Sequence, residues 1–178
     1  IISVDNINMR IKEKKSICFV LCTNLLSLNN KMIHYIINRK IEISTSLDGP
    51  ADLHDLHRHI PVGSAHDLFI KNLKLLESKT NKKSSLLLTV TRDNLRELRR
   101  VIDHYIECDR NGIFIRALNP FGRATLDKSL GYTEEEFTDA YIDAIEYILE
   151  INRNGIDFRE FLISLLLKRI FTSFDDGF

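Results

Sequence analysis

The chain has no long apolar run and no surplus of charge of either sign. None of its apolar stretches approaches the roughly 18 residues that a helix needs to cross a bilayer. Residues 1–25 lack the charged start, apolar core and cleavage site of a signal peptide. The 25 basic residues balance the 25 acidic ones, so overall charge favours neither nucleic acid nor a membrane surface as a partner. The expectation is a cytoplasmic protein.

Short apolar strands alternate with amphipathic helices along the 178 residues, which suffice for one domain with a real core. Strands are predicted at 16–23, 41–46, 85–91 and 112–118, with helices at 29–39, 64–79, 93–107, 134–152 and 157–170 and a polar loop after residue 48. Strands separated by such helices predict an α/β fold whose parallel strands follow one another in sequence order.

The segment from Ile41 to Arg58 carries the most information. Its strand runs into Asp48-Gly49-Pro50, where Gly49 can adopt a positive φ and the proline withholds an N–H, so the strand cannot continue. Ser46 and Asp48 therefore fall at the C-terminal end of a strand, where parallel α/β sheets hold their ligands. Arg58 follows as a fixed cation that can fork onto a carboxylate.

This segment resembles the radical S-adenosylmethionine (SAM) enzymes, in the anaerobic sulfatase-maturase and SPASM peptide-maturase branch. Their S-[IL]-D-G-P-x-x-x-H-[DE]-x-x-R signature is matched without a gap from Ser46 to Arg58. The resemblance covers residues 16–171, and its subgroup is identified as the His-Xaa-Ser system maturases. Further matching segments are Cys22-Thr23-Asn24, Thr89 to Asn94, Phe114 to Pro120, Gly131 to Phe137 and Leu166 to Ile170.

The resemblance implies a function and three site residues. Ser46 matches the serine that contacts the ribose of SAM, Arg58 the arginine that pairs with its carboxylate, and Leu118 the position whose backbone meets the adenine. These three are expected to converge on one cavity, with the Asp48 side chain turned toward its own loop backbone. The family cleaves SAM at a [4Fe–4S] cluster to a 5'-deoxyadenosyl radical that abstracts hydrogen from a peptide or protein, with flavodoxin or ferredoxin as reductant.

The cysteines depart from this family. The cluster requires Cys-x3-Cys-x2-Cys, and although Cys18 and Cys22 have the first spacing, the third position is Leu25. Both cysteines lie on one face of a predicted strand, where free cysteine is expected to be buried as a small apolar residue. The G-G-E-P turn that binds the SAM amino group in the family is also absent. No residue of this chain is therefore expected to bind the cluster.

Truncation explains these departures, and it is the expectation taken here. Residues 1–132 would hold strands three to six of a six-stranded, partial (β/α)6 TIM-type barrel. Residues 133–178 would be two C-terminal helices leading toward a missing cysteine-rich domain. The isolated chain is expected to be inactive, and the strand at 16–23 to be an exposed, aggregation-prone edge unless residues 1–15 fold back over it.

Two other functions stay open from the residues alone. A cluster-free (β/α)-barrel hydrolase or lyase could use Asp48 and nearby histidines as acid–base groups. A non-catalytic remnant would keep the fold without the chemistry. A metal site among His54, His57, His59 and His66 is also conceivable, but without a known ligand spacing they are expected to form a polar loop, solvated apart from His54.

Overall fold

The computed structural model of the chain describes residues 17–119, 121 and 123–173. Its strands are β1 (Val20–Cys22), β2 (Glu42–Ser46), β3 (Ser85–Thr89), β4 (Gly112–Ile113), β5 (Ile115–Arg116) and β6 (Arg159–Glu160). Its helices are α1 (Asn30–Asn38), α2 (Ala51–His57), α3 (Ala65–Thr80), α4 (Arg92–Leu95), α5 (Leu98–Glu107), α6 (Arg123–Leu126), α7 (Glu134–Arg153) and α8 (Phe161–Phe171), with a 3₁₀ helix at Lys128–Leu130. Within the described ranges, no helix combines the length and apolar composition that a membrane crossing requires.

Four strands form one sheet in the order β1-β2-β3-β5. The pairs β1–β2 and β3–β5 are parallel, which confirms the predicted α/β class and the sequential order of the strands. The predicted strand at 112–118 is instead two short strands, and β4 pairs in parallel with β6 in a second sheet. At the start of β5, the Ile115 N–H donates to the carboxylate of Glu160, the last residue of β6, at 3.1 Å.

The chain divides into two compact units, and residues 17–45 and 69–85 belong to the first. Its core includes Ile33 and Ile36 of α1 and Leu73 and Leu76 of α3. Helical spacing predicts Met32, Ile37 and Leu75 on the same apolar faces, but these three are exposed. Helix α1 begins at the predicted place because the Asn29 side chain accepts from the third N–H of the helix.

Strand β1 is exposed along its whole length. Val20 is 58% and Leu21 41% accessible to solvent. Cys18 and Cys22 are both exposed, so the expectation that they are buried is wrong. The physical reason is that the apolar composition that predicts a strand does not show whether anything covers it. The expected alternative, coverage by residues 1–15, falls outside the described residues.

The second unit holds residues 46–68 and the described residues from 86 onward. Its first element, helix α2, replaces part of the predicted polar loop. Gly49 has a φ of +126°, as the turn was expected to require, and the helix starts directly after Pro50. Burial of Leu53 and His54 anchors this short helix. The helix is rich in Asp and His, so the hydrophobic pattern of the sequence does not predict it.

The predicted helix at 93–107 is broken into α4 and α5 between Leu95 and Leu98. Thr91 and Asn94 form a reciprocal capping box at the start of α4, in which the Asn94 Oδ1 accepts from the Thr91 N–H at 2.8 Å. Helical spacing predicts six apolar residues on one face of this helix. Five of them are buried and Ile106 is half-buried; the buried ones are Leu95, Leu98, Val101, Ile102 and Tyr105.

Helix α7 packs against α5 within the second unit. The Arg99 guanidinium makes two hydrogen bonds to the carboxylate of Asp143 and lies 5.1 Å from the ring centre of Tyr147. The Tyr147 hydroxyl in turn donates to Asp103 at 2.6 Å. In contrast, α8 has no buried residue among its side chains. The predicted boundary between residues 132 and 133 stays a prediction.

Candidate functional site

A cavity of about 330 Å³ opens in the second unit near the C-terminal ends of β3 and β5. Thr89 and Arg116, the last residues of these two strands, both contribute to its wall. Ligands of parallel α/β sheets bind at this end of the strands. The lining residues are Asp48, His57, Arg58, Thr89, Thr91, Arg116, Leu118, Asn119, Phe121, Ala124 and Leu130.

Asp48 and Arg58 form an ion pair in the cavity wall. The Arg58 Nε donates to the Asp48 Oδ2 at 2.6 Å, and the aspartate side chain is 7% exposed against 26% for the arginine. The expectation that Asp48 turns toward its own loop backbone is therefore wrong. Helix α2 brings the Arg58 cation back to the start of the loop, and a charged donor binds a carboxylate more strongly than loop amides do.

Each partner of this ion pair keeps hydrogen-bonding capacity. The Asp48 Oδ1 is buried and has no hydrogen-bond partner within the described part of the chain. The terminal nitrogens of Arg58 likewise make no hydrogen bond to any described residue, because Nε alone reaches Asp48. The cavity wall thus presents a buried acceptor and a guanidinium fork next to each other.

The structure brings two of the three predicted site residues to this cavity. Arg58 and Leu118 both line it. Ser46, the half-buried last residue of β2, is not among the described residues that form its wall. The Leu118 N–H is already bound, because it donates to the hydroxyl of Tyr132 at 2.6 Å. That the three residues contact one ligand stays a prediction.

Three buried or half-buried side chains hold the strand ends in place, and the sequence reasoning did not assign them this role. The Asn94 amide donates to the carbonyls of Asp48 (3.4 Å) and Thr89 (3.2 Å). The Tyr105 hydroxyl donates to the Leu47 carbonyl at 2.8 Å, and the Tyr132 hydroxyl donates to the Val90 carbonyl at 3.3 Å. Apolar spacing places Tyr105 in the core, but nothing in the sequence shows what its hydroxyl binds.

The histidines of the predicted polar loop have separate roles. His54 is 1% exposed, and its Nδ1 accepts from the Asp48 N–H at 3.2 Å. Burial lowers the pKa of His54 to about 4, so this imidazole is neutral at pH 7. His57 lines the cavity and contacts Asp93 through its Nε2 at 2.9 Å. His66 is buried as well, so the expectation that it is solvated is wrong.

No complete metal-binding group is present in the described ranges: nowhere do three or more His, Cys, Asp or Glu side chains stand in position to hold one ion. Leu25 occupies the position of the third cluster cysteine and is itself structural. It has a φ of +54°, and its carbonyl accepts from the Asn72 amide at 2.7 Å. The described residues therefore do not present the ligands of a [4Fe–4S] cluster.

Comparison with known proteins finds likeness at the level of structure. No protein-family model matches the chain, and no curated protein matches its sequence. Among solved structures, the anaerobic sulfatase-maturating enzyme anSMEcpe with bound AdoMet and the Kp18Cys peptide superposes over 91% of this chain, with a TM-score of 0.76 and 19% identity. The same enzyme with bound AdoMet alone gives the same three values.

The chain spans 45% and 44% of the length of these two solved structures. At this identity the likeness shows a shared fold. The predicted relation to the sulfatase-maturase fold is therefore confirmed, and AdoMet, which is SAM, is the ligand named in both structures.

Proposed function

We propose that this chain forms part of the SAM site of a radical SAM enzyme that modifies a peptide or protein. The observation that carries the proposal is the meeting of Arg58 and Leu118 at one cavity at the strand ends, within a fold shared with AdoMet-bound structures. The sheet would then be strands three to six of a partial (β/α)6 barrel, in the sulfatase-maturase branch and its His-Xaa-Ser subgroup.

Arg58 is the proposed partner of the SAM carboxylate. Its Nε is occupied by Asp48, whereas its terminal nitrogens have no hydrogen-bond partner among the described residues. A guanidinium held at one nitrogen keeps its remaining donors oriented, so less rotamer entropy is lost when a carboxylate binds. Asp48 thus acts as a positioning residue for the cation.

The unpartnered Asp48 Oδ1 supports a zwitterionic ligand. A buried carboxylate oxygen without a donor is costly, and a ligand ammonium or hydroxyl would remove that cost. SAM has both kinds of donor beside the carboxylate that Arg58 would bind. The cavity residues thus fit the amino-acid end of SAM. Ser46 would bind the ribose, and the carbonyl of Leu118 remains to meet the adenine, since its N–H is bound to Tyr132.

The [4Fe–4S] cluster does not fit the residues of this chain, and we place it in the parent protein. Reductive cleavage of SAM and hydrogen abstraction would belong to that parent, with a flavodoxin or ferredoxin as electron donor in the cytoplasm. A peptide substrate is supported by the neighbour that holds the Kp18Cys peptide. The isolated chain is proposed to bind SAM without turning it over.

The hydrolase or lyase alternative would use Asp48 and nearby histidines as acid–base groups, but the Asp48 carboxylate is bound to Arg58. The geometry at His57 does not favour a histidine-activated nucleophile either. In a nucleophile–His–Asp arrangement, the two partners bind opposite nitrogens of the imidazole. Here Asp93 (2.9 Å) and the hydroxyl of Thr91 (3.5 Å) both contact the same Nε2. The Thr91 side chain also accepts from a backbone N–H as the cap of α4. A base poised to activate this hydroxyl is therefore not assembled.

SAM binding to an isotope-labelled sample of the chain tests the proposal by nuclear magnetic resonance. We expect SAM to shift the amide signals of Thr91, Arg116 and Leu118. Replacing Arg58 with alanine should weaken SAM binding by about 1.5–3 kcal/mol, because the lost hydrogen bond is to a charged group. Ser46→Ala should cost about 1 kcal/mol, the value of one neutral hydrogen bond.

Adenosine provides the matched ligand control, because it has the ribose and adenine without the amino acid. Arg58→Ala should weaken SAM and leave adenosine binding unchanged, whereas Ser46→Ala should weaken both. Arg58→Lys keeps a cation beside buried Asp48, so it should fold even if the alanine variant does not. It lacks the forked guanidinium that can bind a carboxylate through two nitrogens. Arg96→Ala, an exposed arginine outside the cavity wall, should bind both ligands normally.

Two results would contradict the proposal. One is the absence of SAM-induced shifts at the cavity, which would favour a non-catalytic remnant that lacks a working site. The other is equal SAM affinity in the wild type and in folded Arg58 variants, which would refute the role of that residue.

A further inference from the structure

Arg116 is a second arginine in the wall of the proposed SAM site. It is the last residue of β5 and lines the cavity together with Arg58. Asp48 is the one carboxylate among the described residues of that wall, and it is bound to Arg58. The described wall therefore contains one arginine more than it has carboxylates to neutralise.

The end of β3 holds both the backbone and the side chain of Arg116. Thr89 and Arg116 stand opposite each other in the parallel pair, and the Arg116 carbonyl accepts from the Val90 N–H at 2.9 Å. The Arg116 Nη2 donates to the Thr89 Oγ1 at 3.1 Å. Thr89 is half-buried and also lines the cavity, so this hydrogen bond keeps the guanidinium at the cavity wall.

Arg116 keeps donors that no described residue uses. Apart from the bond to Thr89, its N–H groups have no hydrogen-bond partner in the described ranges. Other exposed arginines of this unit each bind a carboxylate on another element: Arg92, Arg99 and Arg100. Asp93, an acidic residue next to the cavity, contacts His57 instead. Arg116 thus offers the cavity a forked cation, and this geometry fits a carboxylate.

Bound SAM would not neutralise Arg116. In the proposed mode the SAM carboxylate pairs with Arg58, and the SAM ammonium lies at Asp48. The sulfonium of SAM and the guanidinium of Arg116 would then be two uncompensated positive charges in one cavity, and like charges repel each other. A second ligand with an anionic group would relieve this repulsion.

We propose that Arg116 recognises the substrate by binding a carboxylate of the peptide that is modified. This inference rests on the proposed function, because it assigns the part of the cavity at Arg58 to SAM. An aspartate or glutamate side chain and a peptide C-terminus supply the same carboxylate chemistry. Arg116 would hold the peptide at a fixed position beside the bound cofactor, and a peptide without the carboxylate would bind more weakly.

Three acetylated pentapeptides test this role by nuclear magnetic resonance, each titrated into the isotope-labelled chain with saturating SAM. The first has a central aspartate among glycines and an amidated C-terminus, and the second has asparagine in its place. The third is pentaglycine with a free carboxyl terminus. We expect the aspartate peptide to shift the Nε–H signal of Arg116, and the asparagine peptide not to do so. The third peptide shows whether a terminal carboxylate binds in the same way.

Four variants identify the residues responsible. Arg116→Gln should weaken the aspartate peptide about fivefold, the value of one exposed ion pair. It should not weaken SAM, because it removes a positive charge beside the sulfonium. Thr89→Val keeps the β-branched shape but loses the hydroxyl that holds the guanidinium, so it should also weaken the peptide. Arg116→Lys keeps the charge and should lose less than Arg116→Gln. Arg96→Gln, at an exposed position outside the cavity wall, should bind the peptide normally.

Three results would overturn the proposal. The first is equal binding of the aspartate and asparagine peptides. The second is equal affinity of Arg116→Gln and Arg96→Gln for the aspartate peptide. The third is a loss of SAM affinity in Arg116→Gln as large as in Arg58→Ala, which would make Arg116 part of the SAM site.

The same titration without SAM separates this proposal from the proposed function. An Arg116-dependent peptide site in a chain that does not bind SAM would refute the proposed function and leave the carboxylate site standing. SAM binding without such a peptide site would do the reverse. Arg58→Lys shows whether a peptide in the empty cavity uses the Arg58 fork instead of Arg116.

Discussion

Asp48 makes polar contacts through its side-chain carboxylate, its backbone N–H and its backbone carbonyl. Its carboxylate binds Arg58, its N–H donates to His54, and its carbonyl accepts from the Asn94 amide. A residue held at three points has little freedom, and the same contacts fix the position of the Arg58 cation. Buried residues therefore fix the geometry of the candidate site, and two of them, His54 and Asn94, are not among the residues that line the cavity.

His54 predicts how stability depends on pH. Burial lowers its pKa from 6.5 to about 4, so the unfolded chain takes up this proton at a higher pH than the folded chain does. The stability that His54 contributes is complete above pH 6.5 and is lost as the pH falls to about 4. At 1.36 kcal/mol per pKa unit, the loss between about pH 7 and pH 5 is about 2 kcal/mol.

Urea unfolding at these two pH values measures that loss. His54→Gln retains an acceptor for the Asp48 N–H but cannot titrate, so its free energy of unfolding should fall by about 2 kcal/mol less than that of the wild type. His59→Gln, at an exposed position, should keep the wild-type dependence. Equal pH dependence in the wild type and His54→Gln would show that this histidine is not buried as a neutral ring.

At the scale of elements, Asn94 connects helix α4 to two strands of the sheet. Its Oδ1 caps α4 at Thr91, while its Nδ2 binds the carbonyls that follow β2 and end β3. One side chain therefore ties the start of α4 to the two strand ends that shape the cavity.

Replacing Asn94 with alanine should lower the free energy of unfolding by about 1–3 kcal/mol, because buried backbone groups lose their partners. Asn94→Asp keeps the acceptor for the Thr91 N–H and loses both bonds to carbonyls, so it separates the two contributions. Asn38→Ala, at the exposed end of α1, should change stability little. Urea unfolding would contradict the role if Asn94→Ala were as stable as Asn38→Ala.

For the molecule as a whole, the exposed strand β1 predicts poor solution behaviour. It pairs with β2 and occupies the end of the strand order among the described strands. Next to it lies an apolar groove of about 480 Å³ whose wall includes Phe19, Val20 and Met32. An exposed apolar edge strand promotes pairing between chains and hence aggregation.

Val20→Lys should reduce aggregation, measured by light scattering at increasing protein concentration. Lysine on an edge strand opposes pairing between chains, and the position is already 58% exposed, so stability should change little. Val62→Lys introduces the same charge at a valine that is 87% exposed outside any strand. If both variants reduce aggregation equally, added charge and not the edge of β1 is responsible.

The sequence by itself determined the α/β class and the sequential strand order, and it placed the segment from Ser46 to Arg58 at the end of a strand. Alternating β-branched residues, helical apolar spacing and the Gly49-Pro50 turn are local signals, and each acts within a few residues along the chain. The apolar face of 93–107 was predictable for the same reason.

Tertiary structure alone decided which polar groups meet. The pairing of Asp48 with Arg58 depends on helix α2, which the hydrophobic pattern does not predict because the helix is rich in Asp and His. The pairing of His66 with His104 joins residues 38 positions apart. The exposure of Cys18 and Cys22 depends on what lies over β1. Contacts of this kind are set by packing between distant segments, and periodicity along one segment contains no information about its neighbour.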